Sequence, residues 1–344
     1  MLGALFTRSC IKFSALGRPF SSQAHRAGAF HNHILTMASY DASQIQKILD
    51  AAHEVKTKPN NFSTMLANET LLMLFSKPSL RTRLSFEVGM TQLGGHAIYY
   101  PLDAHATLGG KESIEDFARV VSRYATLMMA RVASRNDVRA LAEHATIPVI
   151  NALDDWGHPC QILADFQTML EQPGVTSLKG LCIAFVGDIN NNVTFDLMRG
   201  GALMGCHVRV AGPMHAGEAF SMDAAVEKEC RELAAVSGGT LLVTDDPVEA
   251  VKGANFVYAD SIMSYGIDAA AAELREKTFK PYQVTSELMS YAPGAKFLHC
   301  LPALRGAEVT EEVLDGESSV VYDQAENRLH AQKALMLYLR NKLD

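Results

Sequence analysis

The sequence predicts an α/β protein with two doubly wound parallel-sheet domains and a cleft between them. Three observations lead to this fold class. The chain has 344 residues, which at about 150 residues per domain suggests two domains. Apolar residues make up 48% and charged residues 20% of the chain, which is enough for sizeable cores. Past residue 40, short apolar or β-branched runs alternate with helical patterns, as is typical of parallel sheets covered on both faces.

Composition also excludes several classes of protein. The 31 Lys and Arg against 38 Asp and Glu give a net charge of -7, which argues against a surface built for nucleic acid. A membrane-spanning helix is not expected, because no apolar run reaches the length of roughly 18 residues that one needs. The six cysteines form no CxxC pair and no zinc-type spacing with histidines. The sequence therefore predicts a folded, soluble protein without a metal site.

Residues 1–36 differ in composition from the rest. Four cations are the only formal charges before Asp41: Arg8, Lys12, Arg18 and Arg26. A basic, Ser-rich and acid-free segment is typical of an organelle transit peptide, and Arg18-Pro19-Phe20-Ser21 resembles a mitochondrial processing site. We therefore expect a removable transit peptide over 1–36 and a location in the mitochondrial matrix, with the plastid as an alternative. The competing interpretation is a basic tail that carries no targeting signal.

The elements follow in order along the chain. Ser43–Lys56 has the apolar spacing of an amphipathic helix, and Thr70–Phe75 is a compact apolar run that predicts a buried strand. Later strands are predicted at Leu181–Val186, His207–Ala211, Thr240–Val243, Phe256–Ala259 and Lys296–His299. A junction near Asp154–Gly157 divides the chain into domains at 37–153 and 154–323. We expect the last helix, Ala325–Leu343 within the segment 324–344, to pack back on the first domain.

Parallel sheets bind ligands at the carboxyl ends of their strands, so the residues directly after each apolar run are the candidates for ligand binding. Pro78 ends the first run, and Ser79, Arg81 and Thr82 then begin a helix. Helix-start N–H groups, two hydroxyls and guanidiniums make a site for phosphate. The alternative is a capped helix whose arginines lie in solvent or pair with Glu87.

Polar residues follow the strands of the second half as well. His158 and Gln161 are three residues apart at a helix start and share one face, although a cap or packed histidine is the simpler interpretation. Asn192 follows a strand that ends in a lone Gly187, so the Gly-rich turn of a dinucleotide-binding dehydrogenase is missing. The asparagines there either hold an amino acid or form an Asx-turn.

Two further strand ends carry a carboxylate and a thiol. Asp260 precedes Ser264-Tyr265-Gly266 and either faces an amine or caps a helix. Cys300 ends an apolar strand just before Leu301, where a buried core cysteine is the alternative. Together the strand ends predict one cleft with a phosphate cradle, a His/Gln pair, a carboxylate and a thiol.

These motifs resemble the signatures of the carbamoyltransferase family. The resemblance covers residues from about 33 to the C-terminus and rests on S-L-R-T-R at 79–83, H-P-C-Q at 158–161, D-x-x-x-S-Y-G at 260–266 and H-C-L-P at 299–302. Cys160 and Cys300 favour the members that act on ornithine over those that act on aspartate. The resemblance implies an active site between the domains, no cofactor and a homotrimer. The first domain would bind carbamoyl phosphate and the second would bind ornithine.

The resemblance also implies roles for individual residues. Carbamoyl phosphate would be bound by Ser79, Leu80, Arg81, Thr82, Arg131, His158, Gln161, Cys300, Leu301 and Arg328. Ornithine would be bound by Asn192, Asp260, Ser264 and Tyr265. The catalytic groups would be Arg131, His158, Asp260 and Cys300.

Three positions depart from the family pattern. Leu80 replaces a threonine, Tyr265 replaces a methionine, and Thr107 stands where a neighbouring subunit's His or Gln commonly completes the phosphate site. The S-L-R-T form also resembles transferases of N-acetyl- and N-succinyl-ornithine. These amines, putrescine, or a non-catalytic role are therefore the alternatives to ornithine.

Overall fold

The structure is a computed structural model that describes residues 33–102, 108–263 and 269–343. The helices are α1 (Ala42–Thr57), α2 (Leu80–Gln92), α3 (Ile114–Tyr124), α4 (Arg135–His144), α5 (Pro159–Leu170), α6 (Asn192–Leu203), α7 (Ala224–Ser237), α8 (Pro247–Val251), α9 (Ala269–Phe279), α10 (Ser286–Ser290), α11 (Glu311–Leu314) and α12 (Val321–Leu339). The strands are β1 (Thr70–Phe75), β2 (His96–Pro101), β3 (Leu127–Arg131), β4 (Val149–Leu153), β5 (Cys182–Val186), β6 (His207–Ala211), β7 (Thr240–Thr244), β8 (Phe256–Ala259) and β9 (Lys296–His299).

The first half of the chain forms a parallel sheet in the order β2-β1-β3-β4. The central strands β1 and β3 are buried and almost entirely apolar, as expected for a sheet covered on both faces. In the register of this sheet Phe75 lies beside Arg131, and the backbone N–H of Ser76 donates to the carbonyl of Arg131 at 2.9 Å. The start of α2 and the end of β3 are thereby held together at one edge.

The second half forms a parallel sheet in the order β7-β6-β5-β8-β9. The chain leaves β5 toward β6 on one side and later places β8 on the other side. Such a change of direction opens a crevice at the carboxyl ends of the two strands. Asn192 follows β5, Asp260 follows β8 and Cys300 follows β9. The crevice is therefore lined with polar side chains.

Helix α12 joins the two halves. It packs against α1, α2 and α5, with Leu335 and Met336 fully buried. Its other buried residues include the polar side chains Gln324, Asn327, Arg328 and Gln332. Because buried polar groups need partners, these residues bring hydrogen-bonding groups of α12 into the region between the sheets.

The predicted fold class is confirmed, since two parallel sheets are flanked by helices. Each strand predicted in the sequence is present within one residue of its expected bounds. The last helix begins earlier than expected, at Val321, and ends at Leu339. Ile34 pairs with Ile150 and is buried, so the folded part of the chain includes residues 33–36, which the sequence analysis placed in the removable segment. In the part of the chain that the structure describes, no helix has the length and apolarity needed to cross a membrane.

Candidate active site

The start of α2 presents an anion-binding surface. Ser79 is the N-cap residue, and its hydroxyl makes no capping hydrogen bond. The first N–H groups of a helix lack partners within it and carry partial positive charge. Arg83 pairs with Glu87 at 3.0 Å and is exposed, so the simple ion-pair interpretation applies to this arginine. The neighbouring Arg81 is half-buried.

Two further arginines contact this helix start at Thr82. Its hydroxyl is buried and accepts from Nη2 of Arg328 at 3.3 Å, while Nη1 of Arg131 lies at 3.5 Å. Arg131 comes from the end of β3 and Arg328 from α12. Two separate elements, β3 and α12, therefore place guanidinium groups at the hydroxyl of Thr82 on α2.

His158 lies among these cations. It is the N-cap residue of α5, followed by Pro159 in the first helical position, and only 4% of its surface is exposed. Burial and the charges of Arg328, Arg131 and Arg81 hold the pKa of His158 well below 6.5. The imidazole is therefore neutral at pH 7, and it can donate from one ring nitrogen only.

Gln161 connects α5 to α12. Its Oε1 accepts from Nη1 of Arg328 at 2.7 Å, and its Nε2 donates to Asp165 at 2.8 Å. Both glutamine and arginine are almost fully buried. The amide of Gln161 is thus fixed in one orientation beside His158, as the shared helix face predicted.

Asp260 and Cys300 lie together at the ends of β8 and β9. The thiol donates to Oδ1 of Asp260 at 2.7 Å, and the backbone N–H of Ser261 donates to the same oxygen at 2.7 Å. Burial and the neighbouring carboxylate raise the pKa of Cys300 well above 9.0. Cys300 is therefore a protonated hydrogen-bond donor rather than a thiolate nucleophile. Among the described residues, the carboxylate of Asp260 accepts from Ser261 and Cys300 and from no helix start.

The two parts of the site act on one another. Arg81 is close enough to Cys300 to oppose the rise in the pKa of its thiol, and Cys300 likewise acts on the pKa of Arg328. The cations around His158 and the carboxylate–thiol pair consequently share one region between the sheets.

The two asparagines at the start of α6 differ in how far their side chains are used in hydrogen bonds within the protein. Asn191 caps α6 by accepting from the N–H of Thr194 at 2.9 Å, and its own amide donates to the carbonyl of Asp188 at 2.6 Å. Asn192 is half-buried and donates to the carbonyl of Asp154. The Asx-type interpretation therefore holds for Asn191, and Asn192 keeps its amide oxygen for a ligand.

The structure limits the part that some predicted residues can play. The side chain of Leu80 is 69% exposed, so only its backbone N–H can contribute to the anion-binding surface at the start of α2. The N–H of Leu301 donates to Nδ1 of His299 at 2.9 Å and is not available to a substrate. Ser264, Tyr265 and Thr107 lie outside the described residues.

One group of side chains in the described segments has the composition of a metal site. Donor atoms of Asp260, His299 and Cys300 lie within 4.8 Å of one another. However, Nδ1 of His299 already accepts from Leu301, and the thiol already donates to Asp260. These donor atoms are thus already engaged in hydrogen bonds within the protein.

Asp165, Gln324 and the backbone of His299 form contacts that sequence reasoning missed. Gln324 donates to Asp165 at 2.6 Å and accepts from the N–H of His299 at 2.8 Å. The only local signal was the position of Asp165, one helical turn after Gln161 in the same motif.

Two parallel sheets with a cation cluster at strand ends define a two-domain α/β enzyme that acts on an anionic substrate. Residues 32–171 match the model of the aspartate/ornithine carbamoyltransferase carbamoyl-P binding domain. Residues 179–339 match that of the aspartate/ornithine carbamoyltransferase Asp/Orn binding domain. The chain belongs to the aspartate/ornithine carbamoyltransferase family, and it is a carbamoyltransferase.

Curated relatives and solved structures agree with this family. The anabolic ornithine carbamoyltransferase of Pyrococcus furiosus is 47% identical over 88% of this chain and 94% of its own. The ornithine carbamoyltransferase of Thermococcus kodakarensis is also 47% identical, over 88% and 94% of the two chains. A solved structure of ornithine carbamoyltransferase from Pyrococcus furiosus superposes with a TM-score of 0.84 at 45% identity, over 91% of this chain and 98% of that one.

The same relatives correct the predicted location. We expected the mitochondrial matrix, with the plastid as an alternative, from the composition of residues 1–36. The relatives at 46–47% identity are proteins of archaea and bacteria, and this finding contradicts the prediction. A basic composition without acidic residues was therefore an insufficient signal for an organelle address.

Proposed function

We propose that the chain transfers the carbamoyl group of carbamoyl phosphate to the side-chain amine of L-ornithine, giving L-citrulline and phosphate. The observation that carries the proposal is the meeting of Arg81, Arg131 and Arg328 around the neutral imidazole of His158. Three guanidiniums suit a substrate with a doubly charged phosphate. The names of the relatives support ornithine as the acceptor.

We assign the phosphate to the start of α2. Ser79, Arg81, Thr82 and the backbone of Leu80 surround it there, with Arg131 at its side. The carbamoyl group lies toward His158, Gln161, Arg328, the backbone of Cys300 and the backbone carbonyl of Leu301, whose N–H is already bonded to His299. Support comes from the unused capping hydroxyl of Ser79 and from the buried Arg328–Gln161 contact.

Ornithine occupies the crevice at the ends of β5, β8 and β9. Asp260 and Cys300 orient its side-chain amine, while Asn192, Ser264 and Tyr265 hold the α-amino and α-carboxylate groups. The partly exposed Asp260–Cys300 pair supports this assignment, since its carboxylate can accept from an amine.

The charges suggest how the reaction proceeds. The neutral δ-amine attacks the carbamoyl carbon, and negative charge grows on the carbonyl oxygen. Arg131, Thr82 and His158 are donors fixed in position before the reaction, as transition-state stabilisation requires. The C–O bond to phosphate then breaks, the phosphate stays in the cation cluster, and it accepts the proton that the attacking nitrogen releases.

We further propose that residues 37–153, with the helix in 324–344, form the carbamoyl phosphate domain and that 154–323 form the ornithine domain. The packing of α12 on α1 and α2 supports this division. Asp154–Gly157, between β4 and α5, then connects the domains.

Citrulline formation by the purified full-length protein tests the proposed function. The acceptors to compare are L-ornithine, N-acetyl- and N-succinyl-L-ornithine, putrescine and L-aspartate, each with carbamoyl phosphate. We expect turnover with ornithine and background rates with aspartate. A preference for an acylated ornithine or putrescine would contradict the acceptor, and no turnover with any amine would favour a non-catalytic relative.

We also propose that the chain assembles as a homotrimer. An apolar stripe on α2 supports self-association: Leu80, Leu84 and Val88 are 69%, 50% and 39% exposed. Ile98 and Tyr100 on the edge strand β2 are exposed as well. Light scattering after gel filtration should give three times the chain mass for the wild type and for Val236→Lys, an exposed control on α7. Leu84→Lys should lower that mass, and a monomeric wild type would contradict the proposal.

A further inference from the structure

We infer that Asp165 is a positioning residue that ties the phosphate half of the active site to the Cys300 half through two glutamines. The inference rests on the proposed function, because it concerns the same site. Asp165 lies in the second turn of α5 and is completely buried between α5 and α12. Its carboxylate contacts Gln161 on one side and Gln324 on the other, so it acts through these neighbours.

The first branch leads to the phosphate. Oδ1 of Asp165 accepts from Nε2 of Gln161 at 2.8 Å. Because an ionised carboxylate is an acceptor only, Gln161 must turn its NH2 group toward Asp165. Its carbonyl oxygen then faces Arg328, which donates from Nη1 at 2.7 Å and continues from Nη2 to the hydroxyl of Thr82 at 3.3 Å.

The second branch leads to the thiol. The same Oδ1 accepts from Nε2 of Gln324 at 2.6 Å. The carbonyl oxygen of Gln324 is thereby turned toward the backbone N–H of His299, from which it accepts at 2.8 Å. His299 precedes Cys300, whose thiol reaches Asp260 at 2.7 Å. One carboxylate oxygen consequently acts on the amide orientation of both branches, and on the second branch the hydroxyl of Tyr258 also accepts from Nε2 of Gln324, at 3.1 Å.

The residue type matters for this role. An asparagine at position 165 has one acceptor oxygen and one NH2 group, so it keeps both glutamine contacts in only one of its two amide orientations. In the other orientation its NH2 group faces the glutamines, and a glutamine that turns its oxygen toward that NH2 group presents its own NH2 to a guanidinium or to a backbone N–H. Two donors would face each other, which leaves buried groups unsatisfied. Asp165 itself is unfavourable for folding, since Oδ2 has no hydrogen-bond partner among the residues of the described segments. The presence of a carboxylate at position 165 is therefore better explained by a function in the active site than by a contribution to stability.

The charge of Asp165 is adjustable near neutral pH. Burial raises its pKa to about 7, while its contacts with the two glutamines and Tyr258 and the charge of Arg328 on α12 oppose the rise. Tyr258 on β8 also faces it, and the pKa of that phenol is raised well above 10.0. Arg328 stays cationic, so Asp165 is the group of this set that ionises between pH 6 and 8.

The test compares steady-state kinetics of full-length wild type, Asp165→Asn and a matched control, Thr168→Val. Thr168 accepts from Asn327 at 2.9 Å on the same α5–α12 interface, outside both branches. For Asp165→Asn we expect kcat to fall about 10²-fold, with each KM changed much less, because misplaced groups act mainly in the transition state. The control should keep kcat. The ratio of wild-type to Asp165→Asn kcat should rise from pH 6 to 8 as the wild-type carboxyl group ionises.

The outcomes separate this inference from the proposed function. Citrulline formation by the wild type is measured first and stands or fails by itself. Wild-type kcat in Asp165→Asn, or a ratio independent of pH, would overturn the positioning role. If Asp165→Asn does not fold by circular dichroism, Gln324→Met breaks only the second branch. That variant should lower kcat at unchanged KM for carbamoyl phosphate, and unchanged kcat would again overturn the inference.

Discussion

Replacing Arg131 by alanine should remove catalysis while keeping the fold. The residue is held in its sheet by backbone contacts: its carbonyl accepts from the N–H of Ser76 at 2.9 Å, and it pairs with Phe75. These contacts do not depend on the side chain, so the loss of stability should stay below about 1 kcal/mol. The side chain supplies a cationic donor 3.5 Å from the hydroxyl of Thr82. Loss of one such donor typically costs about 10²–10³ in kcat, or about 2.7–4 kcal/mol.

The same substitution should change the pH dependence through His158. Arg131 is one of three cations that lower the pKa of this imidazole, so its removal raises that pKa toward 6.5. The acidic limb of the kcat–pH profile should therefore move to higher pH. Arg131→Lys keeps the charge but loses the planar donor fork, so it should leave the limb in place and still reduce kcat. Colorimetric citrulline formation at saturating substrate measures both effects. An Arg131→Ala kcat within about threefold of the wild type, with an unmoved limb, would refute the role of Arg131.

Three further substitutions test other parts of the site. Below pH 6.5 His158 binds a proton in the unfolded chain but not in the folded site. The unfolding free energy of the wild type should therefore fall by up to about 1.4 kcal/mol for each unit by which the pH is lowered below 6.5. Urea titrations of His158→Gln should give a smaller slope, because His33 and His330, whose pKa values burial also lowers, still contribute; a slope equal to that of the wild type would contradict a neutral imidazole. Gly157→Ala would place a Cβ 2.6 Å from Oδ2 of the buried Asp196, so calorimetry should show a loss of about 1–3 kcal/mol, whereas an unchanged Tm would exclude the clash. Asp260→Asn removes the charged acceptor beside Cys300 and should raise the KM for ornithine by at least about tenfold, at constant KM for carbamoyl phosphate; an unchanged ornithine KM would refute the amine contact.

The sequence predicted the second sheet well because its strands are short apolar runs bounded by turns. The strands of the first sheet were harder to predict from the sequence. Strand β3 (127–131) follows α3 after only two residues, so its apolar run cannot be told from a continuing helix by periodicity. Strand β2 is a sheet edge whose residues are mostly half or fully exposed, which removes the apolar signal. The start of α12 was missed because Val321–Gln324 lacks an N-cap hydrogen bond.

The site was predictable where its residues follow strands directly. Ser79, Asp260 and Cys300 needed only the rule that parallel strands end at one edge, whereas the choice of Asn192 among the asparagines after β5 also needed the spacing of the resembled family. The contacts made by α12 were not predictable in this way, since Asp165 and Gln324 are 159 positions apart. Hydrogen bonds across such a separation depend on helix packing, which leaves no periodic pattern in the sequence.

The cation cluster itself explains how a protein of net negative charge can bind an acyl phosphate such as carbamoyl phosphate. The net charge of -7 repels anions at long range, but salt screens exposed charges within about 10 Å, while the guanidinium groups near His158 are partly or fully buried. Their mutual repulsion is a cost that the folded protein bears without ligand, and burial together with the charge of Arg81 already lowers the pKa of Arg328. A bound dianion removes that repulsion, so part of its binding free energy comes from relief of strain among the cations. Phosphate binding should accordingly raise the Tm of the wild type more than that of Arg131→Ala, and an equal shift in the two proteins would show that Arg131 does not belong to the cluster.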